Sequence, residues 1–163
     1  MRGEKGDSVS EGKEFDVIVV GSGGGALLSA VRAHDLGMSV LVMEKSDKYG
    51  GTTATSGGVL WVPLNDQIDD DFDSAYTYLK AAVGDTTSDG KVRAYLESGP
   101  EMIRYVNEKT SVRYNASRDY PDYYQDLTCA AAGGRSMEPS PFNGALLGEE
   151  LEHLREPHPG VTL

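Results

Sequence analysis

Cysteine is nearly absent: Cys129 is the one thiol in 163 residues, so no disulfide can close within the chain. A reducing, cytoplasmic setting is expected on that basis. Cys129 sits in the small-residue run Thr128-Cys129-Ala130-Ala131-Ala132-Gly133-Gly134, with no histidine beside it to activate the sulfur, and reads as structural filler. Positive charge is also scarce, 15 Lys and Arg against 26 Asp and Glu, which leaves a net charge of −11. A chain so acidic lacks the clustered cations that nucleic-acid phosphates or an anionic lipid surface require, so neither partner is expected. The acidity reads instead as a solubility device. Long apolar runs are missing too. None approaches the roughly 18 residues that identify a transmembrane helix, and the opening Met1–Glu14 has no apolar stretch that could serve as a secretory signal. The three histidines, His34, His153 and His158, show no metal-ligand spacing, and no metal is expected.

What the chain does have is glycine, crowded between Gly21 and Gly58. Each glycine surrenders more backbone entropy on folding than any other residue, so the crowding points to a bulky anionic ligand lying against bare backbone. The surrounding periodicities say how that backbone is held. Phe15-Asp16-Val17-Ile18-Val19-Val20 is a short β-branched run closed by Gly21 and reads as a buried parallel strand. Leu27, Leu28, Val31 and Leu36 then fall on one side of a helix that Gly37 stops. Ser39–Met43 follows as a second buried strand. Two parallel strands joined by one helix form a βαβ unit with a right-handed crossover.

Within that frame Gly21-Ser22-Gly23-Gly24-Gly25-Ala26 fits the dinucleotide fingerprint G-x-G-x-x-G/A, directly after a strand and directly before a helix. Gly21 makes the turn out of the strand, Gly23 lets backbone approach a pyrophosphate, and Ala26 is small enough for the helix to lie close on the sheet. Gly24 and Gly25 open the helix, whose N-terminal amides offer donors and partial positive charge to phosphate. Glu44, at the end of the second strand, is the acid that would accept hydrogen bonds from a ribose diol and repel a 2′-phosphate. The expected fold class is therefore α/β, a Rossmann-like unit followed by mainly helical and loop segments.

The stretch after Glu44 separates NAD from FAD. A nicotinamide domain goes from its acid into another helix. Here Glu44-Lys45 leads through Gly50-Gly51-Thr52-Thr53-Ala54-Thr55-Ser56-Gly57-Gly58, a run of small residues and hydroxyls suited to an extended ligand. Amides there, and the hydroxyls of Thr52, Thr53 and Ser56, can bond to pyrophosphate and ring edge, so FAD is the expected cofactor.

Beyond the loop, Val59-Leu60-Trp61-Val62 reads as a short extended piece closed by Pro63. A helix carrying Phe72, Ala75, Tyr76, Leu79, Ala82 and Val83 follows the acidic cap Asp69-Asp70-Asp71 and stops at Gly84. A second helix, capped by Ser88, runs through Val92, Tyr95 and Leu96, and a third starts at Pro100 with Met102, Ile103 and Val106. After Tyr114 the composition is that of loops.

These residues resemble a known family. Phe15–Pro63 is similar to the N-terminus of FAD-dependent 3-ketosteroid dehydrogenases, within the fumarate reductase-like flavoproteins. The triple glycine after Ser22, the Gly50-Gly51-Thr52 turn with Ser56-Gly57-Gly58, and Leu60-Trp61-Val62-Pro63 favour the ketosteroid branch. So do Tyr120-Pro121-Asp122-Tyr123-Tyr124 and Gly134-Arg135-Ser136-Met137-Glu138-Pro139. The resemblance spans about residues 15–156. It implies removal of two hydrogens from ring A of a 3-ketosteroid, most often at the 1,2 position with the 4,5 position open, and hydride transfer to the flavin. It also implies a steroid-like substrate and an external electron acceptor.

By the same resemblance Tyr123 matches a tyrosine that supports the catalytic base, while Tyr120 and Tyr124 read as packing. Arg135 either pairs with an acid or lines the flavin. Family members are about three times longer, so residues 15–163 are expected to form the N-terminal part of a flavin domain behind a disordered lead-in over residues 1–14. Alone, this part is expected to be inactive and to hold FAD weakly. The alternatives are a fumarate reductase-like flavoprotein acting on another substrate, or a non-catalytic nucleotide-binding remnant.

Overall fold

The structure, a computed structural model, describes residues 12–157. The lead-in expected over residues 1–14 falls outside the described residues as far as residue 11, and so do His158 and the residues after it. The chain divides into two compact units: one runs to Ser56 and resumes at Leu147, the other is Gly57–Leu146.

In the first unit, strand β1 (Val17–Val20), helix α1 (Gly24–Asp35) and strand β2 (Val40–Met43) form the βαβ arrangement. The strands are parallel, with Val17 opposite Val40 and Val20 opposite Met43. β-branched side chains favour the extended backbone here, and two clips set the register. At one end the Asp16 carboxylate accepts bonds from the Ser39 amide at 2.8 Å and the Ser39 hydroxyl at 2.7 Å. At the other the Gly21 amide donates to the Met43 carbonyl at 2.6 Å. Helix α1 ends one residue before Leu36, with Arg32 and His34 in its last turn, where positive charge complements the helix dipole.

The expected burial of these strands and of the helix stripe is not met. Ile18 is 58 % and Val20 82 % exposed, Leu27, Val31 and Leu36 are exposed as well, and Ala30 is the buried residue of α1. The reason is geometric. A two-stranded parallel sheet has two apolar faces, and one helix can cover only one of them.

The second unit joins two helices to a small sheet. Helix α2 (Phe72–Val83) begins at Asp71, whose side chain accepts from the Ser74 amide at 2.9 Å, and ends at Gly84 in a left-handed conformation (φ +55°). Helix α3 (Asp89–Lys109) runs without a break through Pro100, where two helices were expected. An internal proline costs about 3 kcal/mol. The continuous buried stripe Val92, Leu96, Gly99, Pro100, Ile103 and Val106 offsets it, since fully burying a residue such as Leu96 or Ile103 contributes about 1.5–3 kcal/mol. Ser88 stands at the N-cap position as expected, but its side chain makes no capping bond.

The sheet is the element that loop-like composition concealed. Strands β3 (Leu60–Trp61), β4 (Tyr114–Ala116) and β5 (Ser136–Pro139) lie in the order β3-β5-β4, both neighbours antiparallel to β5. Val62, Ile103 and Met137 form one buried cluster, and Ala75, Val92 and Leu96 form another between α2 and α3.

Candidate functional site

The phosphate turn is assembled in the first unit. Gly21 leaves β1 with φ +96°, a conformation that a side chain disfavours. Gly23 is the N-cap of α1 and has no side chain of its own to cap the helix, and no acidic residue lies in the first turn. The amides of Gly25 and Ala26 have no intrahelical acceptor, and a Cβ built on Gly25 would meet nothing within 4 Å. This is an open, positively polarised end.

One donor is already taken. The Gly24 amide bonds to the Thr53 hydroxyl oxygen at 2.9 Å, so Thr53 caps the helix where a free amide was expected. A short 3-10 turn, Thr53–Thr55, places it there. The Gly50-Gly51-Thr52 turn crosses so closely that a Cβ on Gly51 would lie 3.3 Å from the Gly23 Cα. Thr52 and Ser56 are exposed, and the Ser56 hydroxyl donates to the Thr53 carbonyl at 2.9 Å. Lys45 is exposed.

Ser22, the variable position of the fingerprint and absent from the expected site residues, holds the turn together. It is 2 % exposed; its hydroxyl donates to the Glu44 carboxylate and accepts the Gly50 amide at 2.9 Å. The other Glu44 oxygen accepts the Ser46 amide at 3.0 Å. The Ser22 hydroxyl first, and the Ser46 amide after it, hold the Glu44 carboxyl below the usual glutamate range. The side chain is thus ionised and fixed beside the turn. A carboxylate can accept about four hydrogen bonds, so capacity remains for a diol.

The loop before this turn is strapped from the far end of the chain, which nothing in the local sequence announced. The Tyr49 amide donates to the His153 carbonyl at 2.9 Å, and the Arg155 amide returns a bond to the Tyr49 carbonyl at 2.8 Å. The Tyr49 hydroxyl donates to the Glu150 carbonyl at 3.0 Å, and Lys48 bonds to the Glu152 carbonyl. The residues Gly21–Ala26, Glu44 and Gly50–Ser56 are therefore brought together. They fit a dinucleotide diphosphate through two open amides, a cradle lined by glycine backbone and a held carboxylate.

Gly57, Gly58 and Tyr123 belong to the second unit. Gly58 has a structural duty there: its φ is +74°, and its carbonyl accepts the Tyr114 hydroxyl at 3.1 Å. Tyr123 is 77 % exposed and meets Tyr120 edge-on, ring centroids 6.3 Å apart. The hydrogen bond with Tyr123 pushes the Tyr120 phenol above its ordinary range. Tyr120 and Tyr124 are exposed, not packed inside as expected, because the loop's buried anchor is Asp122. Cys129 is likewise exposed, in a left-handed turn (φ +62°), so it fills no core.

Arg135 pairs with acids, and with two of them. Its guanidinium bonds both Asp70 oxygens, at 2.8 and 2.9 Å, and Asp122 at 2.9 Å. Burial opposes its charge, but Asp70 and Asp122 outweigh that and raise its pKa above the ordinary value. Among the described residues no cluster of His, Cys, Asp or Glu is placed to hold a metal, and no helix is long and apolar enough to cross a membrane.

A strand-turn-helix-strand unit with an open helix end and a tethered acid defines a dinucleotide-binding fold. Residues 16–162 match the FAD binding domain family, and the chain belongs to it. The chain is 42 % identical over 157 residues to the 3-oxosteroid 1-dehydrogenase of Comamonas testosteroni, covering 93 % of this chain and 27 % of that protein. It is 39 % identical to the one from Mycolicibacterium smegmatis, covering 93 % and 28 %. The crystal structure of 3-ketosteroid delta1-dehydrogenase from Sterolibacterium denitrificans, in complex with 1,4-androstadiene-3,17-dione, superposes with a TM-score of 0.87 at 56 % identity, over 90 % of this chain and 27 % of that one. The chain thus spans a little over a quarter of the length of the relatives it matches.

Proposed function

We propose that this chain is the FAD-binding N-terminal part of a dehydrogenase that desaturates ring A of a 3-ketosteroid between C1 and C2. The observation that carries this reading is the 56 % identity, at a TM-score of 0.87, to a 3-ketosteroid delta1-dehydrogenase. The reaction removes a proton from C2, beside the ketone, and a hydride from C1. FAD, when bound, supplies the hydride acceptor.

The residues of this chain do the rest of what falls to them. The Gly25 and Ala26 amides bind the diphosphate, and the cradle formed by Gly21, Gly23, Gly24, Gly50 and Gly51 lets it approach. Glu44 accepts from the ribose hydroxyls while Ser22 keeps it oriented, and Lys45, Thr52, Thr53 and Ser56 complete the flavin contacts of this unit. Tyr123 acts as a hydrogen-bonding support for the base that takes the C2 proton. The edge-on Tyr120, its ring centroid 6.3 Å away, is the aromatic neighbour of this phenol. A cytoplasmic setting and an external electron acceptor that reoxidises the flavin complete the reading.

The test uses a complete dehydrogenase carrying these residues, supplied with a 3-ketosteroid and a reducible dye. Dye reduction with a product two hydrogens lighter and unsaturated at C1–C2 is expected. Turnover of fumarate with a reduced dye, and none of the ketosteroid, would overturn the proposal.

A further inference from the structure

Asp122 and Tyr123 are adjacent in the chain and opposite in exposure: Asp122 is 4 % and Tyr123 77 % exposed. The buried carboxylate accepts three hydrogen bonds. One oxygen accepts the Trp61 indole N–H at 2.7 Å. The other accepts the Ala131 amide at 2.8 Å and the Arg135 guanidinium at 2.9 Å. The Asp122 amide also donates to the Ala131 carbonyl at 3.0 Å, and the Gln125 side chain bridges the carbonyls of Asp122 and Ala131, so the loop from 122 to 131 is closed on itself.

On the other side of Tyr123, the Tyr124 amide donates to the hydroxyl of Tyr78, 3.2 Å away, and Tyr78 is 4 % exposed. Both backbone neighbours of Tyr123 are therefore tied to buried side chains. The two anchors are themselves joined, because Tyr78 lies 5.7 Å from Trp61 between ring centroids and its ring carries the Arg135 guanidinium at 5.6 Å. Arg135 is pinned in turn by its forked bond to Asp70 and by the Cys129 carbonyl at 3.0 Å. Its planar fork spends its donors on four acceptor atoms of three residues, a geometry that a lysine cannot reproduce.

We infer that Asp122, clamped by Arg135, is a positioning residue for Tyr123, with the Tyr78 hydroxyl as the second fixed point. The inference rests on the role proposed for Tyr123 and adds to it how an exposed phenol is held in one place. A displacement of about 1 Å in a reacting group can cost about a hundredfold in rate, so a loop fixed only on its exposed side would not serve.

The experiment is a double-mutant cycle in the flavin-loaded complete dehydrogenase. Asp122→Asn is expected to lower kcat by about ten- to a hundredfold, with KM and the flavin spectrum unchanged. In a Tyr123→Phe background it is expected to lower kcat no further. The same kcat loss in both backgrounds would show that the clamp supports the fold generally and would overturn the inference, as would an unchanged kcat in Asp122→Asn alone. Tyr78→Phe, which deletes one hydroxyl and keeps the ring, runs in parallel and decides the matter if Asp122→Asn does not fold. A smaller loss, absent in the Tyr123→Phe background, supports the inference, and no loss or an additive one overturns it. Failure of the Tyr123 role reads differently, since Tyr123→Phe alone would then turn over like the parent.

Discussion

The hydroxyl of Ser22 donates to the carboxylate of Glu44, across 22 residues of chain, while the same oxygen accepts the Gly50 amide. One buried hydroxyl thereby joins the phosphate turn, the acid that ends β2 and the glycine loop. The dinucleotide fingerprint leaves this position open, yet here it decides how the phosphate turn, Glu44 and Gly50 meet.

Ser22→Ala follows directly. In the parent the bonded Glu44 carboxyl lies below its ordinary range, so its contribution to stability is complete above the ordinary glutamate pKa and is lost as pH falls through the depressed folded value. The variant is expected to melt lower than the parent at neutral pH, with the gap closing on acidification through that window. Melting temperature against pH, followed by circular dichroism, checks it; a constant gap would show that the Ser22 effect is independent of Glu44.

Gly25→Ala separates folding from binding. Nothing lies within 4 Å of the added Cβ, and alanine is favoured over glycine in a helix by up to about 1 kcal/mol. The variant is expected to be at least as stable as the parent. In a complete dehydrogenase it should hold FAD at least about tenfold more weakly, about 1.4 kcal/mol, because the methyl group occupies the approach of the diphosphate. Flavin fluorescence titration and thermal melting together read the opposite signs.

Arg135→Met removes the partner of two buried carboxylates. Arg135, Asp70 and Asp122 have side chains 3 %, 8 % and 1 % exposed. Breaking a buried ion pair from one side costs about 3–5 kcal/mol, and that loss is expected in urea unfolding. Trp61, the chain's one tryptophan, bonds to Asp122, so its fluorescence should change in the same variant.

Tyr123→Phe is expected to leave stability unchanged, the side chain being exposed. In a complete dehydrogenase it should lower turnover by at least about tenfold, the loss of one hydrogen bond to a charged group being worth about 1.5–3 kcal/mol, with bound flavin unaffected. Steady-state kinetics beside the flavin absorbance ratio measures both.

The sequence by itself determined the elements whose information is local. Val17–Val20, the helix opening at Gly24, the acid at Glu44 and the capping Asp71 are legible because strand, helix and cap each depend on residues a few positions apart. The FAD binding domain follows from that local order, and the family match over residues 16–162 agrees with it.

Tertiary structure decided what distant segments do to each other. Ser136–Pro139 becomes the central strand only because Leu60 and Ala116 both find Met137, and a stretch rich in turn residues does not show its partners. Pro100 stays inside α3 because the buried stripe on both sides of it outweighs the missing hydrogen bond. Arg135 takes Asp70 from 65 residues away and Asp122 from 13, and Thr53 caps a helix that begins 29 residues earlier. Burial and charge pairing are properties of the assembled chain, whereas periodicity and turn chemistry are properties of its pieces.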